Sequence, residues 1–440
     1  MRKKSTYGLE VEFLLIDEAG QITNSADSLL ERIRGKRIDY HVRPEVSKFM
    51  IEVGAHPKPT VRQSAKGFLK TLSILSDEAK KIDLRLLPLA AYPGAVKPVM
   101  RKKPWYKMQE MVLGKEALEN AGCVTGFHFH ASLPKGIYDS AKDDLRPQKR
   151  GKAEKLLVDQ YNFLIAIDPA AITLMQSSPF YQGTYLCKDS RVAVYRNMEI
   201  KECRTRGIYY SNPLFGELPQ YEHTSADISY LIKLRKRRWL DLLEHKNMKL
   251  TASIRKAHPL RFYWGPLRIN KVGTFELRGM DMNLPSIMLG TSTLIKRGLL
   301  GIETDNLDVV PSELGAQMPF KVEGGKLHIP PYREVENLIR KSAVHGLASP
   351  QVKNYVTRLH KFAVKYLDIK ADLAVNRIRG MLESGKTTSD RIIELSGMGI
   401  PTVGYKLNQK KAAEIALEFA NRFEDDIAEL MHSYVILDAP

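Results

Sequence analysis

The sequence predicts an α+β fold, an antiparallel sheet with helices packed on one face, followed by a helical C-terminal region. Three observations carry this. Several segments alternate apolar and polar residues with the period of two that a half-buried strand requires. Between them lie stretches with apolar residues at helical spacing. Beyond Pro330-Pro331 the pattern turns almost wholly helical, which divides the chain into an α+β body over 1–330 and a helical region over 331–440 packed on it.

The strand candidates are Tyr7–Asp17, Phe49–Gly54, Leu84–Ala91, Cys123–Leu133 and Arg261–Asp281, with a hairpin over Phe320–Ile329 turning at Gly324-Gly325. Helices are expected at Val61–Lys81, Trp105–Asn120, Lys152–Met175, Ser225–Glu244 and Ser286–Leu299, then at Val335–Leu347, Gln351–Tyr366, Ala371–Leu382 and Lys410–His432.

Composition narrows the function. The 440 residues suffice for a large core, and 43% hydrophobic with 27% charged residues is the balance of a soluble globular protein. No apolar run approaches the ~18 residues of a membrane span. Met1-Arg2-Lys3-Lys4-Ser5 is basic, but no apolar stretch follows it, so no signal peptide and a cytoplasmic location are expected. Cys123, Cys187 and Cys203 are odd in number and lack a Cys-x-x-Cys pair; they read as reduced structural thiols. The net charge of +18 suits nucleic acid, an anionic surface or anionic substrates. Its sharpest cluster, Lys233, Arg235, Lys236, Arg237 and Arg238, lies among Ile228, Leu231, Leu234, Leu240 and Leu243 at helical spacing and reads as a solvated helix face. No nucleic-acid motif accompanies it, so nucleic-acid binding is not expected to be the main function.

The strands carry the chemistry. In Gly8-Leu9-Glu10-Val11-Glu12-Phe13 the two glutamates share a face, as do His128 and His130 in Gly126-Phe127-His128-Phe129-His130. Thr274, Glu276 and Arg278 share another, and Glu52 stands between Ile51 and Val53. A plain wet face also alternates, but it favours Lys, Thr, Ser and Gln. Carboxylates crowded on one face repel unless cations neutralise them. Carboxylate and imidazole ligands suit Mg²⁺ or Mn²⁺, which hold phosphates, and arginines beside them stabilise a transferred phosphoryl group. The pattern therefore points to phosphoryl transfer or metal-assisted hydrolysis. Two other motifs are weaker. Gly380–Thr387 fits the P-loop expression but follows a helical pattern, where a P-loop must follow a strand. His128-Phe129-His130 lacks the following glutamate of a cupin site.

These residues resemble the type 2 glutamate–cysteine ligases, or carboxylate–amine ligases, over nearly the whole chain. Gly8-Leu9-Glu10-Val11-Glu12-Phe13 is similar to the family's Gly-x-Glu-x-Glu-Phe strand, and Glu45 and Glu52 to its glutamates seven apart. Gly126–His130, Ser177-Ser178-Pro179-Phe180 with Gly183 and Ser190-Arg191, Gly273–Arg278 with Asp281, and Asn337, Arg340, Ala343, Gly346 and Leu347 resemble its later segments in order. Ser177 replaces the usual asparagine and Phe129 a common valine.

The resemblance implies a glutamine-synthetase-like sheet. It implies ATP and Mg²⁺ or Mn²⁺ as cofactors, with Glu10, Glu12, Glu45, Glu52, His128 and Glu276 as metal ligands. Arg278 and Arg191 are the expected catalytic arginines at the nucleotide and substrate, and His130 is expected to contact cofactor or substrate. The implied reaction joins glutamate to an amine, cysteine for the named activity, through an acyl phosphate, and so serves glutathione synthesis. Two alternatives stand beside it: a ligase for another amino-acid amine, and a basic, non-enzymatic binding protein on the same fold. Glu45 and Glu52 lie seven apart and cannot share a face of one regular strand, so a turn near Ser47 is expected to bring both in.

Overall fold

The structure, a computed structural model, describes residues 6–36, 38, 40–55, 57–142, 144–146, 151–259, 264–368 and 372–436. Three parts of the sequence expectations lie outside these residues: Met1–Ser5, the first three positions of the strand expected over 261–281, and Ala371.

The alternation of Tyr7–Asp17 yields a strand over those same residues, β1, because Leu9, Val11, Phe13 and Leu15 all bury in the core. Around it stand β2 (Tyr40–Pro44), β3 (Met50–Ala55), β4 (Leu84–Leu87), β5 (Gly126–Ser132), β6 (Leu267–Asn270) and β7 (Thr274–Asp281). They form one seven-stranded sheet in the order β6-β7-β5-β1-β3-β2, with β4 also paired to β1, and every pairing is antiparallel. The single strand expected over 261–281 is instead the hairpin β6–β7, which reverses at Gly273, where φ is +76°. β2 was not expected. It is a short edge strand with exposed His41, Arg43 and Pro44, and so carries no alternating signal.

Helices cover the apolar face. Thr60 caps α1 (Val61–Lys80) by accepting from Gln63 N. The helix expected over 105–120 breaks at Gly114, φ +94°, into α2 (Pro104–Leu113) and Lys115–Ala121. The helix expected over 152–175 breaks before Pro169 into α3 (Lys152–Ala166) and α4 (Asp168–Met175). Next come α5 (Ser190–Tyr195), α6 (Ser225–His245), which opens with a capping box between Thr224 and Asp227, and α7 (Pro285–Thr304). Val11, Phe13, Phe127, Phe129, Phe275 and Leu277 of the sheet share one core with Phe68 and Leu72 of α1, Phe163 of α3, Ile172 of α4 and Leu294 of α7. Each such burial is worth about 1.5–3 kcal/mol, so a one-residue slip of β1, which would turn Leu9, Val11 and Phe13 onto the face of Glu10 and Glu12, is heavily penalised.

The hairpin expected near 320–329 forms over Lys321–Glu323 and Lys326–Ile329. After Pro331 run α8 (Tyr332–His345), α9 (Pro350–Ala363), α10 (Leu373–Ser384), α11 (Thr388–Ser396), which was not expected, and α12 (Gln409–Ile436). Val335, Leu359, Ile378 and Phe423 from these helices enter the same core as the sheet. A second core joins Leu14 and Ile16 of β1 with Ile392, Ile393, Ile415 and Phe419. The face that carries Glu10 and Glu12 is thus open along the first half of β1 and closed by C-terminal helices along the second.

A buried ion pair ties α4 to the residue after α5. Arg196 donates from Nη1 to Asp168 Oδ2 at 2.6 Å and from Nη2 to Oδ1 at 3.0 Å, and both residues are buried. Arg196 Nη2 also reaches the Gly279 carbonyl at 3.4 Å, and a Cβ on Gly279 would stand 2.3 Å from that nitrogen. Asp168→Ala should cost about 3–5 kcal/mol, because it strands a buried guanidinium. A denaturation midpoint unchanged from the native protein would contradict this.

Candidate active site

The sheet register brings the predicted carboxylates and histidines together. Glu12 pairs with Glu52 across β1 and β3, Glu10 with His128 across β1 and β5, and His130 with Glu276 across β5 and β7. Directly paired residues share a face, so all six side chains lie on the wet face. Glu45 joins them through the β2–β3 reversal. Met50 N donates to Ser47 O, and Glu45 N to Met50 O, which sets Glu45 beside Met50 on the face of Glu52. The expected turn at Ser47 is therefore present.

Two groups result. Glu12, Glu45 and Glu52 offer ligand atoms within 4.8 Å of one another, and so do Glu10, His130 and Glu276. His130, rather than His128, completes the second group. His128 stands between the two, its Nδ1 3.4 Å from Glu10 Oε2 and its Nε2 3.7 Å from Glu12 Oε1. Thr274 Oγ1 lies 3.0 Å from His130 Nδ1 and leaves Nε2 toward Glu10 at 3.5 Å. Gly126 N donates to Glu12 Oε2 at 2.7 Å and fixes that carboxylate.

Electrostatics separates the groups. Burial, with the charges of Glu12 and Glu52, pushes the Glu45 carboxyl up to about 8. Burial, with Glu10 and Glu12, pushes Glu52 up to about 7. For Glu10, burial alone would raise the carboxyl, but hydrogen bonds from His128 and His130 outweigh it and hold it well below the usual range. Glu276 is likewise held low: against the burial stand Arg268, Arg278 and both histidines. Like-charge crowding at the first group is what a divalent cation relieves, and three carboxylates suit Mg²⁺ or Mn²⁺. His128 Nε2 is buried without a hydrogen-bond partner. The residues present therefore fit such an ion.

Sequence reasoning missed Arg268 and Asn270. Arg268 donates to Glu276 from Nε at 2.6 Å and Nη2 at 3.0 Å, and Asn270 Nδ2 donates at 2.6 Å. The signal was present in Leu267-Arg268-Ile269-Asn270, an alternating strand hidden inside one long strand candidate. Arg278 lies past a register shift in β7, its Nη1 3.4 Å from Glu276 Oε1. Arg191, expected at a substrate, donates from Nη1 to the Gly279 and Met280 carbonyls at 3.2 and 3.1 Å. A Cβ on Gly126 would stand 2.4 Å from its Nη2, so glycine there admits the guanidinium. Arg191, Arg268, Arg278, Glu12 and Glu45 line one cavity of about 650 Å³. The Ser177-Ser178 segment is bound to Asp281: Ser178 Oγ donates to its carboxylate at 2.7 Å and accepts from Arg191 N at 3.1 Å.

The P-loop-like segment lies elsewhere. Gly380 to Ser384 is the end of α10, Gly385 is its left-handed cap at φ +67°, and Thr387 caps α11. Lys386 pairs with Glu394 at 2.6 Å. Lys386→Ala should change ATP turnover by less than about twofold, since an exposed pair contributes little. Loss of nucleotide binding in a folded variant would contradict this. In the basic helix, Arg235 is buried and donates to the Leu214 carbonyl, and Lys233 pairs with Asp144, while Arg237 and Arg238 are exposed. All three cysteines are buried free thiols. Among the described residues, no helix is long and apolar enough to cross a membrane.

The fold is that of solved glutamate–cysteine and glutathione ligases. The glutamate–cysteine ligase of Francisella tularensis in complex with AMP superposes with a TM-score of 0.62 at 13% identity, covering 98% of this chain and 92% of that one. The bifunctional glutathione synthetase of Pasteurella multocida gives 0.58 at 13% identity, covering 96% and 53%. Residues 6–313 match the model of glutamate–cysteine ligase family 2, and the chain belongs to that family. Two relatives named "Putative glutamate–cysteine ligase 2" are similar to it. That of Chromobacterium violaceum is 29% identical over 282 residues, 63% of this chain and 62% of the relative. That of Ruegeria pomeroyi is 25% identical over 266 residues, 59% and 62%. The match thus spans less than two thirds of either relative's length.

Proposed function

We propose that the protein is an ATP-dependent carboxylate–amine ligase that activates the γ-carboxylate of glutamate as an acyl phosphate and passes it to an amine. The observation that carries this is two triads of metal-binding groups on one sheet face, with Glu12 and Glu45 of the first lining a cavity whose wall holds three arginines. Divalent cations held by Glu12, Glu45 and Glu52, and by Glu10, His130 and Glu276, would neutralise the triphosphate and the attacking carboxylate. Arg268 and Asn270 orient Glu276, as hydrogen-bonded partners of ligating carboxylates do. Arg278 meets the charge of the transferred phosphoryl group, and Arg191 the substrate carboxylate. The residues of 1–330 supply these groups, and the helices of 331–440 close the sheet around them. Use of ATP places the reaction in the cytoplasm.

Cysteine is the amine that the family name points to. A larger amine is a second reading, favoured by the size of the cavity. A non-enzymatic binding role is disfavoured, because every expected carboxylate and arginine is present at the site. The test is phosphate release with ATP, Mg²⁺ and glutamate across a panel of amino-acid amines. Amine-dependent release with formation of a γ-glutamyl amide is expected. Folded, metal-loaded protein that cleaves ATP with none of them would overturn the ligase reading.

A further inference from the structure

β7 is bulged against β5. Leu277 stands opposite Phe129 and Met280 opposite Phe127, so three steps along β7 match two along β5, and Arg278 and Gly279 share the place of one residue. Such a bulge re-aims a side chain and disrupts the ladder around it. Here one remote segment, 177–196, takes up the bulge. Arg191 Nη1 donates to the Gly279 and Met280 carbonyls at 3.2 and 3.1 Å, and its Nη2 lies 3.5 Å from the Arg278 carbonyl. Arg196 Nη2 adds a second contact to the Gly279 carbonyl at 3.4 Å. At the end of the bulge, Asp281 Oδ2 accepts from Ser177 N at 3.0 Å and from Ser178 Oγ at 2.7 Å. Ser178 Oγ accepts in turn from Arg191 N at 3.1 Å, and Ser190 N donates to the Ser178 carbonyl at 2.9 Å.

Ser178 is the joint of this clamp. Its hydroxyl links the strand carboxylate to the backbone of α5, and Ser178, Asp281 and Arg191 are each at most 3% exposed. Arg278 lies inside the clamped stretch and lines the cavity of Glu12 and Glu45. On its other side its N donates to the Pro266 carbonyl at 2.7 Å. The backbone beneath a side chain aims it, and a misplacement of about 1 Å lowers a rate by about two orders of magnitude. We propose that Ser178 is a positioning residue for Arg278: through Asp281 and Arg191 it fixes the β7 bulge, and the bulge sets the direction of the Arg278 guanidinium. Ser178 is not among the described residues that line the cavity, so its effect on turnover passes through a neighbour. The catalytic duty of Arg278 rests on the ligase reading above; the clamp does not.

Ser178→Ala removes both hydrogen bonds of the hydroxyl. In amine-dependent phosphate release by the full chain, kcat should fall about ten- to a hundredfold, while KM for ATP and for glutamate changes less than about threefold. In the Arg278→Lys protein the same substitution should lower kcat less than about twofold further, because the group it aims is already gone. Amide exchange should quicken at Arg278 and Met282, whose N–H groups meet the Pro266 and Thr125 carbonyls, and stay native in β1 and β3. Asp281→Asn is the second variant. Both hydrogen bonds to Asp281 land on one oxygen, which an amide keeps, and burial lifts this carboxyl above its ordinary range against the pull of Arg191. It should hold kcat within about threefold of native, and a loss of about tenfold or more overturns the proposal even where Ser178→Ala does not fold. So does a folded Ser178→Ala protein with native kcat, or one whose loss adds fully to that of Arg278→Lys. A raised glutamate KM at full kcat overturns it too, since Ser178 would then act through Arg191. Each of these leaves the ligase reading standing. A native protein that releases phosphate with no amine removes the ligase reading; quickened exchange confined to β7 then keeps the clamp, and unchanged exchange removes it as well.

Discussion

Glu12→Gln should lower amine-dependent ATP turnover at least about 100-fold, and a chelator should do the same to the native protein. Glu12 is the carboxylate of the first group that faces the second through His128. It belongs to the group with Glu45 and Glu52, and it lies 3.7 Å from His128, which in turn touches Glu10. The amide keeps the shape and the Gly126 hydrogen bond but supplies no charge to hold a cation. The same crowding gives a pH signature. In chelator, Glu45 and Glu52 titrate near 8 and 7 in the folded chain, above the ordinary carboxylate range of the unfolded one. The folded state therefore binds more protons between about pH 5 and pH 8, and these groups cost stability as pH rises through that window. Mg²⁺ should raise the melting temperature more at pH 8 than at pH 5, where the ion must displace protons. A shift that is equal at both, or turnover retained in Glu12→Gln, would remove these carboxylates from a metal site.

Arg278→Lys should lower turnover by about 10²–10³ while changing nucleotide binding far less, a loss of about 2.7–4 kcal/mol confined to the transition state. The guanidinium does two things at once. It holds Nη1 3.4 Å from Glu276 Oε1 and stands 5.8 Å from the Trp264 ring centroid, which leaves the rest of its fork for the cavity. An ammonium is a point charge without a fork, and it cannot meet the carboxylate, the ring and a phosphoryl group from one position. Separate kcat and KM values for ATP check this. An unchanged kcat would take Arg278 out of the mechanism.

Much of this was legible in the chain itself. The period of two in Gly8–Phe13, Gly126–His130 and Thr274–Arg278 assigned both the core face and the site face. A strand with one buried side has no other way to place those residues. The helical pattern after Pro330-Pro331 was equally plain. Other features were not local. Whether Glu12 opposes Glu52 or Gly54, and whether His128 or His130 completes a triad with Glu276, depends on register between residues 40 to 146 positions apart in the chain. Arg268 and Asn270 acquired meaning only when one apparent strand folded into a hairpin against Glu276.

The sequence by itself determined the strand faces, the identity of the charged groups and the family. The tertiary structure decided which groups meet, that Arg191 is engaged by the bulge carbonyls of β7, and that Ser178 ties Asp281 to the same helix. The reason is physical. Alternation and helical spacing are properties of a few consecutive residues. Charge pairing, desolvation and the volume of a cavity arise only when segments remote in the chain are brought within a few ångströms of one another.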